Sequence, residues 1–311
     1  MTLRIALVGA VNSTEIALRA IAQCGHVPAV VFTLPMEKQG RHSDFVDLGP
    51  LAEELGAPLV RVDDVNAPEA VEALRAAAPD LLMVIGWSRI CGEEFRGVAR
   101  MGTLGYHPTL LPKMRGRAAL AWTILLDLKR SGGTLFWMDE GVDSGAIAAQ
   151  EAFDIPPGTT LPQLIDLHLA AQSRMMPALF AKLDGGSRPA EPQDHREATY
   201  LAVRRPADGE IDWTRGAEEI ERLVRAVTRP FPGAFSSLGG RDLVVWSARV
   251  ARYPQWHAMI GQVFTYEDGA PVVRCGGGTD LVLTDYEFRP EHDGDLVPAA
   301  IRGQPRFRTS R

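Results

Sequence analysis

Two short stretches of the chain carry side chains that could transfer a proton. Residues 105–117 read GYHPTLLPKMRGR and place His107 at the end of an apolar run, directly before Pro108. Residues 134–145 read TLFWMDEGVDSG and place Asp143 between two glycines. An imidazole changes its charge near neutral pH, and a carboxylate beside it can hydrogen-bond the ring and orient it. The pair therefore predicts a site for acid–base chemistry.

The pattern alone leaves open which carboxylate faces the histidine. Asp139 and Glu140 lie in the same loop as Asp143, and spacing does not separate the three. Aspartate is also common in ordinary glycine-containing turns, and a single histidine is more often structural than catalytic. Position favours function here, because His107 ends an apolar strand and so lies at the rim of the predicted sheet.

Two arginines follow the histidine in the same stretch. Arg115 and Arg117 flank Gly116, and their guanidinium groups could clamp a carboxylate or phosphate or simply lie in a solvated basic loop. The early loop at residues 9–12 reads GAVN, which is not a GxGxxG fingerprint. The arginines are therefore candidate anion ligands, and no dinucleotide cofactor is predicted.

Strands and helices alternate through the first half of the chain. Apolar periodicity predicts strands at residues 5–9, 27–32, 59–62, 81–85, 103–107 and 133–138, and helices at 12–24, 46–56, 67–78, 120–125 and 160–183. This order predicts an α/β fold with a doubly wound parallel sheet. Ligands bind such sheets at the carboxyl ends of the strands, where Asn12, the loop at 86–91 and the loop after His107 all fall.

The second half of the chain has a different pattern. Residues 184–206 are rich in Gly, Pro, Asp and Arg and predict a linker, which a short helix at 216–227 follows. Strand-like segments at 235–238, 243–248, 261–266, 271–275 and 280–288 predict a smaller C-terminal β-barrel that is OB-like. The predicted division is a catalytic domain at 1–188, a linker at 189–206, the barrel at 207–303 and a tail at 304–311.

Composition restricts the classes of protein to which this chain can belong. Its 311 residues suffice for two domains, and 46% hydrophobic and 23% charged residues are typical of soluble proteins. A formal net charge of -6 argues against a nucleic-acid binder. The three cysteines are far apart and lack histidine spacing suited to zinc, so no metal is predicted. No apolar run approaches the ~20 residues that span a bilayer, so we expect no membrane partner and a cytoplasmic location.

The residues around His107 and Asp143 closely resemble the signature of the folate-dependent formyltransferases. That family has Asn-x-His-x-Ser-Leu-Leu-Pro-x-x-Arg-Gly, followed further along the chain by Gly-x-Asp-x-Gly. The present chain matches at His107, residues 110–112, residues 115–116 and Asp143, with Thr109 in place of the serine. Segments 210–213, 224–226, 230–235 and 245–248 resemble the start of the family's C-terminal domain. The resemblance therefore covers nearly the whole chain.

The resemblance implies an N-formyltransferase that uses 10-formyltetrahydrofolate as co-substrate and needs no metal. His107 would transfer a proton and help to stabilise the tetrahedral oxyanion, while Asp143 would orient His107 and help to accept the amine proton. By the same resemblance, the folate would contact Arg89, Ile90, Cys91, Thr109, Leu110, Leu111, Pro112, Arg117, Asp139, Glu140, Gly141, Val142 and Asp143. The acceptor would approach Asn12, Ser13 and Arg115.

One position departs from the signature. Gly105 stands where the family has an asparagine, whose amide donates to the oxyanion. Loss of one such donor can cost ~2.7–4 kcal/mol, or on the order of 10²–10³ in rate. Strand alternation directs Tyr106 away from the face that carries His107, so Ser88, Arg89 or a water is the expected substitute. The departure fits a formyltransferase with another donor, a slower enzyme, or altered chemistry on the same fold.

The acceptor is predicted from two weakly charged regions. Methionyl-tRNA formyltransferases carry a longer and strongly basic insertion after the second strand, whereas residues 33–42 are short and weakly basic here. Residues 205–311 carry nearly balanced charge, so counterion release would contribute little to tRNA binding. Both features favour a small amine, and the Arg-Gly-Arg-Ala run at 115–118 resembles formyltransferases that act on nucleotide-linked amino sugars.

Three alternatives stay open at this point. The first is a methionyl-tRNA formyltransferase. The second is a hydrolase of formylfolate, although the added regulatory domain usual in those enzymes is not visible in this sequence. The third is a non-catalytic folate- or nucleotide-binding homologue, against which the retained His107 and Asp143 argue. The oligomeric state is left open, with a homodimer as one option.

Overall fold

The structure is a computed structural model that describes residues 2–41, 43–238, 241–289 and 306–307. The chain divides into two compact units, which consist of Met1–Ala119, Lys129–Ile155 and Ile165–Ala202 in the first, and of Leu120–Leu128, Pro156–Leu164 and Val203–Arg311 in the second. The domain limits at 188, 206 and 303 stay predictions. Most of the predicted tail and the end of the predicted barrel after residue 289 lie outside the described residues. So does His42, in the short and weakly basic stretch at residues 33–42, here called the short basic loop.

The first unit is built on a seven-stranded sheet with the order β3-β2-β1-β4-β5-β7-β8. The strands of this unit are β1 (Arg4–Val8), β2 (Val27–Thr33), β3 (Leu59–Arg61), β4 (Leu81–Val84), β5 (Thr103–His107), β6 (Arg115–Gly116), β7 (Arg130–Trp137), β8 (Ile147–Asp154) and β9 (Tyr200–Leu201). The two-residue strands β6 and β9 pair separately from the sheet. The α-helices within the described residues are α1 (Asn12–Gln23), α2 (Gly49–Glu54), α3 (Pro68–Ala77), α4 (Glu93–Arg96), α5 (Ala119–Leu125), α6 (Leu161–Asp184) and α7 (Ala217–Val227).

The predicted α/β class is confirmed, with one correction to the direction of the strands. In sheet order, the five strands β3, β2, β1, β4 and β5 are parallel. Strand β7 runs antiparallel to β5, and β8 runs antiparallel to β7. Because β7 and β8 are joined by the loop at 138–146, they form a hairpin, which requires antiparallel pairing. The sequence does not predict β8, since its residues, IAAQEAFD, lack the β-branched and aromatic character typical of strands.

Helices cover both faces of this sheet, which explains its apolar central strands. The run LLMV in β4 is fully buried, as is expected for a strand with both faces packed. One apolar layer joins the sheet to α1, α2 and α6, and the other joins it to α3 and α4. Thr14 ties the first turn of α1 to the end of β4. Its Oγ1 accepts from the Val11 backbone N–H at 3.2 Å and donates to the Ile85 carbonyl at 2.6 Å.

The second unit contains an antiparallel sheet with the order β10-β11-β14-β13-β12. Its strands are β10 (Ala234–Leu238), β11 (Arg241–Ala251), β12 (Val263–Glu267), β13 (Ala270–Arg274) and β14 (Asp280–Arg289). Short 3-10 helices occur in both units. They lie at Met36–Arg41 and His195–Glu197 in the first unit and at Pro206–Gly209 and Gly276–Gly278 in the second. The predicted β character of this domain is confirmed, while its closure into an OB-like barrel stays a prediction. Among the described residues, no helix combines the length and apolar character needed to cross a membrane.

Candidate active site

His107 lies at the carboxyl end of β5 and is only 5% exposed. Its Nε2 lies 2.7 Å from the Met114 carbonyl oxygen, and its Nδ1 lies 3.6 Å from Oδ2 of Asp143. Because a carbonyl only accepts, the hydrogen-bond network assigns the proton of the neutral ring to Nε2. The lone pair of Nδ1 then faces a carboxylate, and a proton added at Nδ1 would give the ring a donor toward Asp143. This arrangement can take up and release one proton at a fixed place.

The structure separates Asp143 from Asp139, two of the three candidate carboxylates of the following loop. Asp143 adopts a φ of 51°, and its Oδ2, which faces His107, also accepts from the Gly116 backbone N–H at 2.8 Å. Asp139 instead shapes the loop, since its Oδ1 accepts from Ser144 Oγ at 2.6 Å and from the Gly141 backbone N–H. Asp143 is therefore the carboxylate of the candidate pair.

The glycines around Asp143 are required by close packing. A Cβ atom at Gly145 would lie 1.7 Å from the Trp137 carbonyl oxygen, and one at Gly141 would lie 2.0 Å from Oγ of Ser144. The contact at Gly145 is with backbone and excludes a side chain there, whereas a side chain at Gly141 would displace the Ser144 hydroxyl from Asp139. The Gly-x-Asp-x-Gly pattern thus reflects a loop folded tightly against the end of β7.

The loop after His107 is fixed by side chains of the neighbouring hairpin. Thr109 is buried, its backbone N–H donates to the His107 carbonyl at 2.9 Å, and its own carbonyl accepts from Thr134 Oγ1 at 2.7 Å. Gln150 of β8 donates to the Leu111 carbonyl and to Thr134 Oγ1, both at 2.9 Å. These contacts leave residues 109–112 with little freedom, so the loop is pre-organised.

Arg115 does not lie in solvent, as a simple anion clamp would. Its side chain is 2% exposed, and its guanidinium donates to Gln193 Oε1 from Nε at 3.2 Å and from Nη2 at 2.6 Å. Nη2 also lies 3.2 Å from His195 Nδ1, and Nη1 lies 3.4 Å from Tyr200 Oη. The predicted role of Arg115 in acceptor binding stays a prediction, and Arg117 is exposed on the same loop.

The loop after β4 contains three further residues that are predicted to bind the folate. Arg89 donates from Nη1 to the Asp63 carbonyl at 2.6 Å and forms an ion pair with the Asp63 carboxylate at 3.2 Å. Ile90 is 85% exposed, whereas Cys91 is buried. Asn66 holds this loop, because its side chain bonds both the Ile90 carbonyl and the Gly92 backbone N–H.

The remaining predicted ligands fall at the same edge of the sheet. Asn12 and Ser13 form the first turn of α1, directly after the end of β1, and the Ser13 carbonyl accepts from Gln172 Nε2 of α6 at 2.7 Å. Val142 is 61% exposed and Glu140 is exposed. Since β1, β4 and β5 are neighbours and parallel, the loops that follow these three strands lie at one edge. The loop with Glu140 and Val142 follows the antiparallel strand β7, and the contact between Asp143 and His107 brings it to this site. Within the described residues, no cluster of three or more His, Cys, Asp or Glu could hold a metal ion.

Tyr106 contacts the layer of the protein that contains α6. Its hydroxyl lies 3.3 Å from Nδ1 of His168, whereas His107 contacts the loop residues Met114 and Asp143. Burial, together with the nearby charge of His107, lowers the pKa of His168 to about 3. His168 is therefore neutral at physiological pH and is not a candidate acid.

Phe136 occupies the space beside Gly105. The two residues are cross-strand partners in β5 and β7, and a Cβ atom at Gly105 would lie 2.9 Å from Cε1 and Cζ of the Phe136 ring. It would also lie 3.2 Å from Cγ of Met138. The space beside the position two residues before His107 is therefore filled by the apolar side chains of Phe136 in β7 and of Met138 directly after it, and neither of them can donate a hydrogen bond.

We predict that Gly105→Asn destabilises the protein through the Phe136 ring. Overpacking of this kind costs ~1–3 kcal/mol, and the cost should fall by at least ~0.5 kcal/mol in a Phe136→Ala background, where the space is open. Urea unfolding of the wild type, both single variants and the double variant measures the coupling. An equal cost of Gly105→Asn in both backgrounds would contradict this steric interpretation.

We also predict that Cys91 and Cys275 resist alkylation in the folded protein. Burial raises the pKa of each thiol to about 12, so the thiolate fraction at pH 8 is about 10⁻⁴. The reactive fraction rises with pH toward that pKa, and both thiols should react fully once the chain is unfolded in urea. Mass spectrometry after iodoacetamide treatment measures this, and rapid native labelling of Cys91 at pH 8 would show that its loop opens.

The comparisons with known proteins agree with this fold. An α/β domain with a histidine–aspartate pair at the carboxyl edge of its sheet, followed by an antiparallel β domain, defines the class. Residues 12–179 match the formyl transferase family, and residues 204–292 match the formyl transferase C-terminal domain. The chain therefore belongs to the formyl transferase family, which confirms the resemblance and the prediction of a transferase at the level of the family.

Solved structures share the fold at low sequence identity. HypX from Aquifex aeolicus in complex with tetrahydrofolic acid aligns with a TM-score of 0.67 and 20% identity over 93% of this chain and 45% of that chain, so the present chain spans about half of that protein. An N-formyltransferase from Helicobacter canadensis, in complex with folinic acid and dTDP-3-aminofucose, gives 0.65 and 16% over 91% and 99%. Methionyl-tRNA formyltransferase from Clostridium thermocellum gives 0.57 and 18% over 79% and 93%.

Proposed function

We propose that this chain transfers a formyl group from 10-formyltetrahydrofolate to the amine of a small acceptor, with a nucleotide-linked amino sugar as the first choice. The observation that carries this proposal is the contact between His107 Nδ1 and the Asp143 carboxylate at 3.6 Å. The pair lies at the carboxyl edge of the sheet in a chain of the formyl transferase family.

The residues of the site fit a folate co-substrate. Ile90 and Val142, from two of the loops predicted to bind it, expose apolar side chains that a planar aromatic ring would cover. Asp139 and Glu140 add carboxylate acceptors, which suit the amino and ring N–H groups of a pterin. The structures with bound tetrahydrofolic acid and folinic acid support this assignment by their fold. When bound, the co-substrate supplies the formyl carbon that the amine attacks.

The residues of the chain can manage the proton that the attacking amine loses. We infer that Asp143 accepts this proton. The carboxylate either keeps the proton or passes it to Nδ1 of His107, whose N–H then donates a hydrogen bond to the carboxylate. The Nε2–H of His107 donates to the Met114 carbonyl in this structure. To stabilise an oxyanion, Nε2 must therefore turn from that carbonyl when substrate binds. Catalytic hydrogen bonds of this kind often form only in the substrate complex.

A small acceptor is supported over tRNA by the charges of the short basic loop. Lys38 of this loop forms an ion pair with Asp63, and the nearby Arg61 pairs with Asp47 at 2.8 Å. These pairs leave less positive potential for a phosphate backbone. The similar structure that holds dTDP-3-aminofucose is consistent with an amino sugar acceptor. The similar methionyl-tRNA formyltransferase makes tRNA the alternative acceptor to be tested.

The test is an acceptor screen with purified protein and 10-formyltetrahydrofolate. We expect N-formylation of an amino sugar linked to dTDP or UDP, detected by mass spectrometry. Methionyl-tRNA as the sole acceptor would contradict the acceptor that we propose. Release of formate without any amine product would instead establish a hydrolase, and folate binding without turnover would establish a binding homologue.

A further inference from the structure

Residues 193–201, which follow α6, hold the backbone on one side of His107. Thr199 Oγ1 accepts from the Met114 backbone N–H at 2.8 Å, and the Thr199 carbonyl accepts from the Arg115 backbone N–H at 2.9 Å. Met114 is the residue whose carbonyl accepts from His107 Nε2. The pairing of β6 with β9 continues this contact through Gly116. The Met114 carbonyl, which accepts from His107 Nε2, is therefore held in place by residues 193–201.

The same segment holds the loop on the other side of the ring. Gln193 Nε2 donates to the Asp143 carbonyl at 2.9 Å and to the Gly145 carbonyl at 2.7 Å. Both carbonyls belong to the turn that presents the Asp143 carboxylate to His107 Nδ1. One buried side chain thus links two successive points of that turn and restricts where the carboxylate can lie.

The other end of the Gln193 amide is anchored by a buried cation. Oε1 of Gln193 accepts from Nε and Nη2 of Arg115, at 3.2 and 2.6 Å. These donors require an oxygen at that end, and the two carbonyls require the nitrogen at the other, so only one orientation of the amide satisfies all four contacts. Among the described residues, the partners recorded for the Arg115 guanidinium are Gln193, His195 and Tyr200, none of them a carboxylate.

We propose that Gln193 is a positioning residue of this site: it fixes the Asp143 carboxylate against Nδ1 of His107 and is itself held by Arg115. Gln193 does not touch the ring. It acts through the backbone of the turn at 143–145. The role in turnover rests on the proposed formyl transfer, whereas the geometric role is independent of any substrate.

Gln193→Glu separates positioning from simple packing. The carboxylate keeps an acceptor for the buried Arg115, and that hydrogen bond becomes an ion pair, so folding is retained. The same change removes both donors to the turn and places an oxygen against the carbonyls of Asp143 and Gly145. Glu191→Gln is the matched control, because the Glu191 side chain is exposed and only its backbone pairs with Ile147.

Steady-state kinetics give the first readout. We expect Gln193→Glu to lower kcat by on the order of 10²-fold, as for a misplaced catalytic group, while the KM for 10-formyltetrahydrofolate and the melting temperature stay near the wild type. Glu191→Gln should match the wild type. A wild-type kcat in Gln193→Glu would overturn the proposal, and so would a loss confined to KM.

Imidazole ¹⁵N NMR of the ligand-free protein gives the second readout, which needs no activity. The His107 signals, assigned by their loss in His107→Asn, should shift in Gln193→Glu and stay in place in Glu191→Gln. Unchanged His107 signals in Gln193→Glu would overturn the proposal. If these signals shift but the wild type transfers no formyl group, the positioning role holds and the proposed function fails.

Discussion

Replacement of His107 by alanine is expected to lower kcat for formyl transfer by ~10²–10⁴-fold, the usual contribution of a positioned acid–base group. His107 is the group that joins the Met114 carbonyl on one side to the Asp143 carboxylate on the other. Alanine removes both contacts and leaves no imidazole to take the proton from the Asp143 carboxylate. Single-turnover measurement of the formylated product would give this loss directly.

The His107 prediction needs a control for folding. The ring is buried, so alanine leaves a cavity and removes a hydrogen bond worth ~0.5–1.5 kcal/mol. His107→Asn fills more of the space, so its free energy of unfolding should be closer to that of the wild type. Its loss of kcat should be comparable to that of His107→Ala. His257, an exposed histidine of the second unit, provides the matched substitution His257→Ala, which should leave kcat unchanged. Activity retained in His107→Asn would exclude the imidazole from the chemistry.

Replacement of Asp143 by asparagine is expected to lower kcat by ~10²–10⁴-fold without unfolding the loop. The amide oxygen can still accept from the Gly116 backbone N–H, as Oδ2 does at 2.8 Å. That oxygen then also faces Nδ1 of His107, and the neutral amide cannot accept the proton that the attacking amine loses. The variant should therefore bind the co-substrate but lose the proton relay.

The control for Asp143 is an aspartate of the same unit that lies away from the site. Asp154 at the end of β8 has an 86% exposed side chain and pairs loosely with Arg130 at 3.8 Å. Asp154→Asn should match the wild type in both kcat and urea unfolding. If Asp143→Asn also matched the wild type, the 3.6 Å contact would have no role in turnover.

The sequence was sufficient to predict the parts of the fold that depend on local pattern. Buried apolar runs gave β1, β4 and β5, and the glycine-bracketed aspartate followed from a motif that tight packing at Gly141 and Gly145 requires. The choice of Asp143 over Asp139 needed the structure, because both are short carboxylates in one loop and only their hydrogen bonds differ.

Other features depend on contacts between distant positions and leave no local signal. Gln193 lies in a segment whose Gly, Pro and charged residues predict only a linker, yet its amide reaches Asp143 across fifty positions. Likewise, the Phe136 ring over Gly105 follows from the register of β5 against β7, which composition does not reveal. The burial of Arg115 has the same origin, since its partners come from 193–200.

The most direct test of the central claim is a double-mutant cycle on the His107–Asp143 pair. Single-turnover rates of formyl transfer from 10-formyltetrahydrofolate to the best acceptor would be measured for the wild type, His107→Ala, Asp143→Asn and the double variant. If the two groups act as one unit, the double variant is no slower than the slower single variant. Losses that multiply in the double variant, or single variants that keep the wild-type rate, would contradict the account.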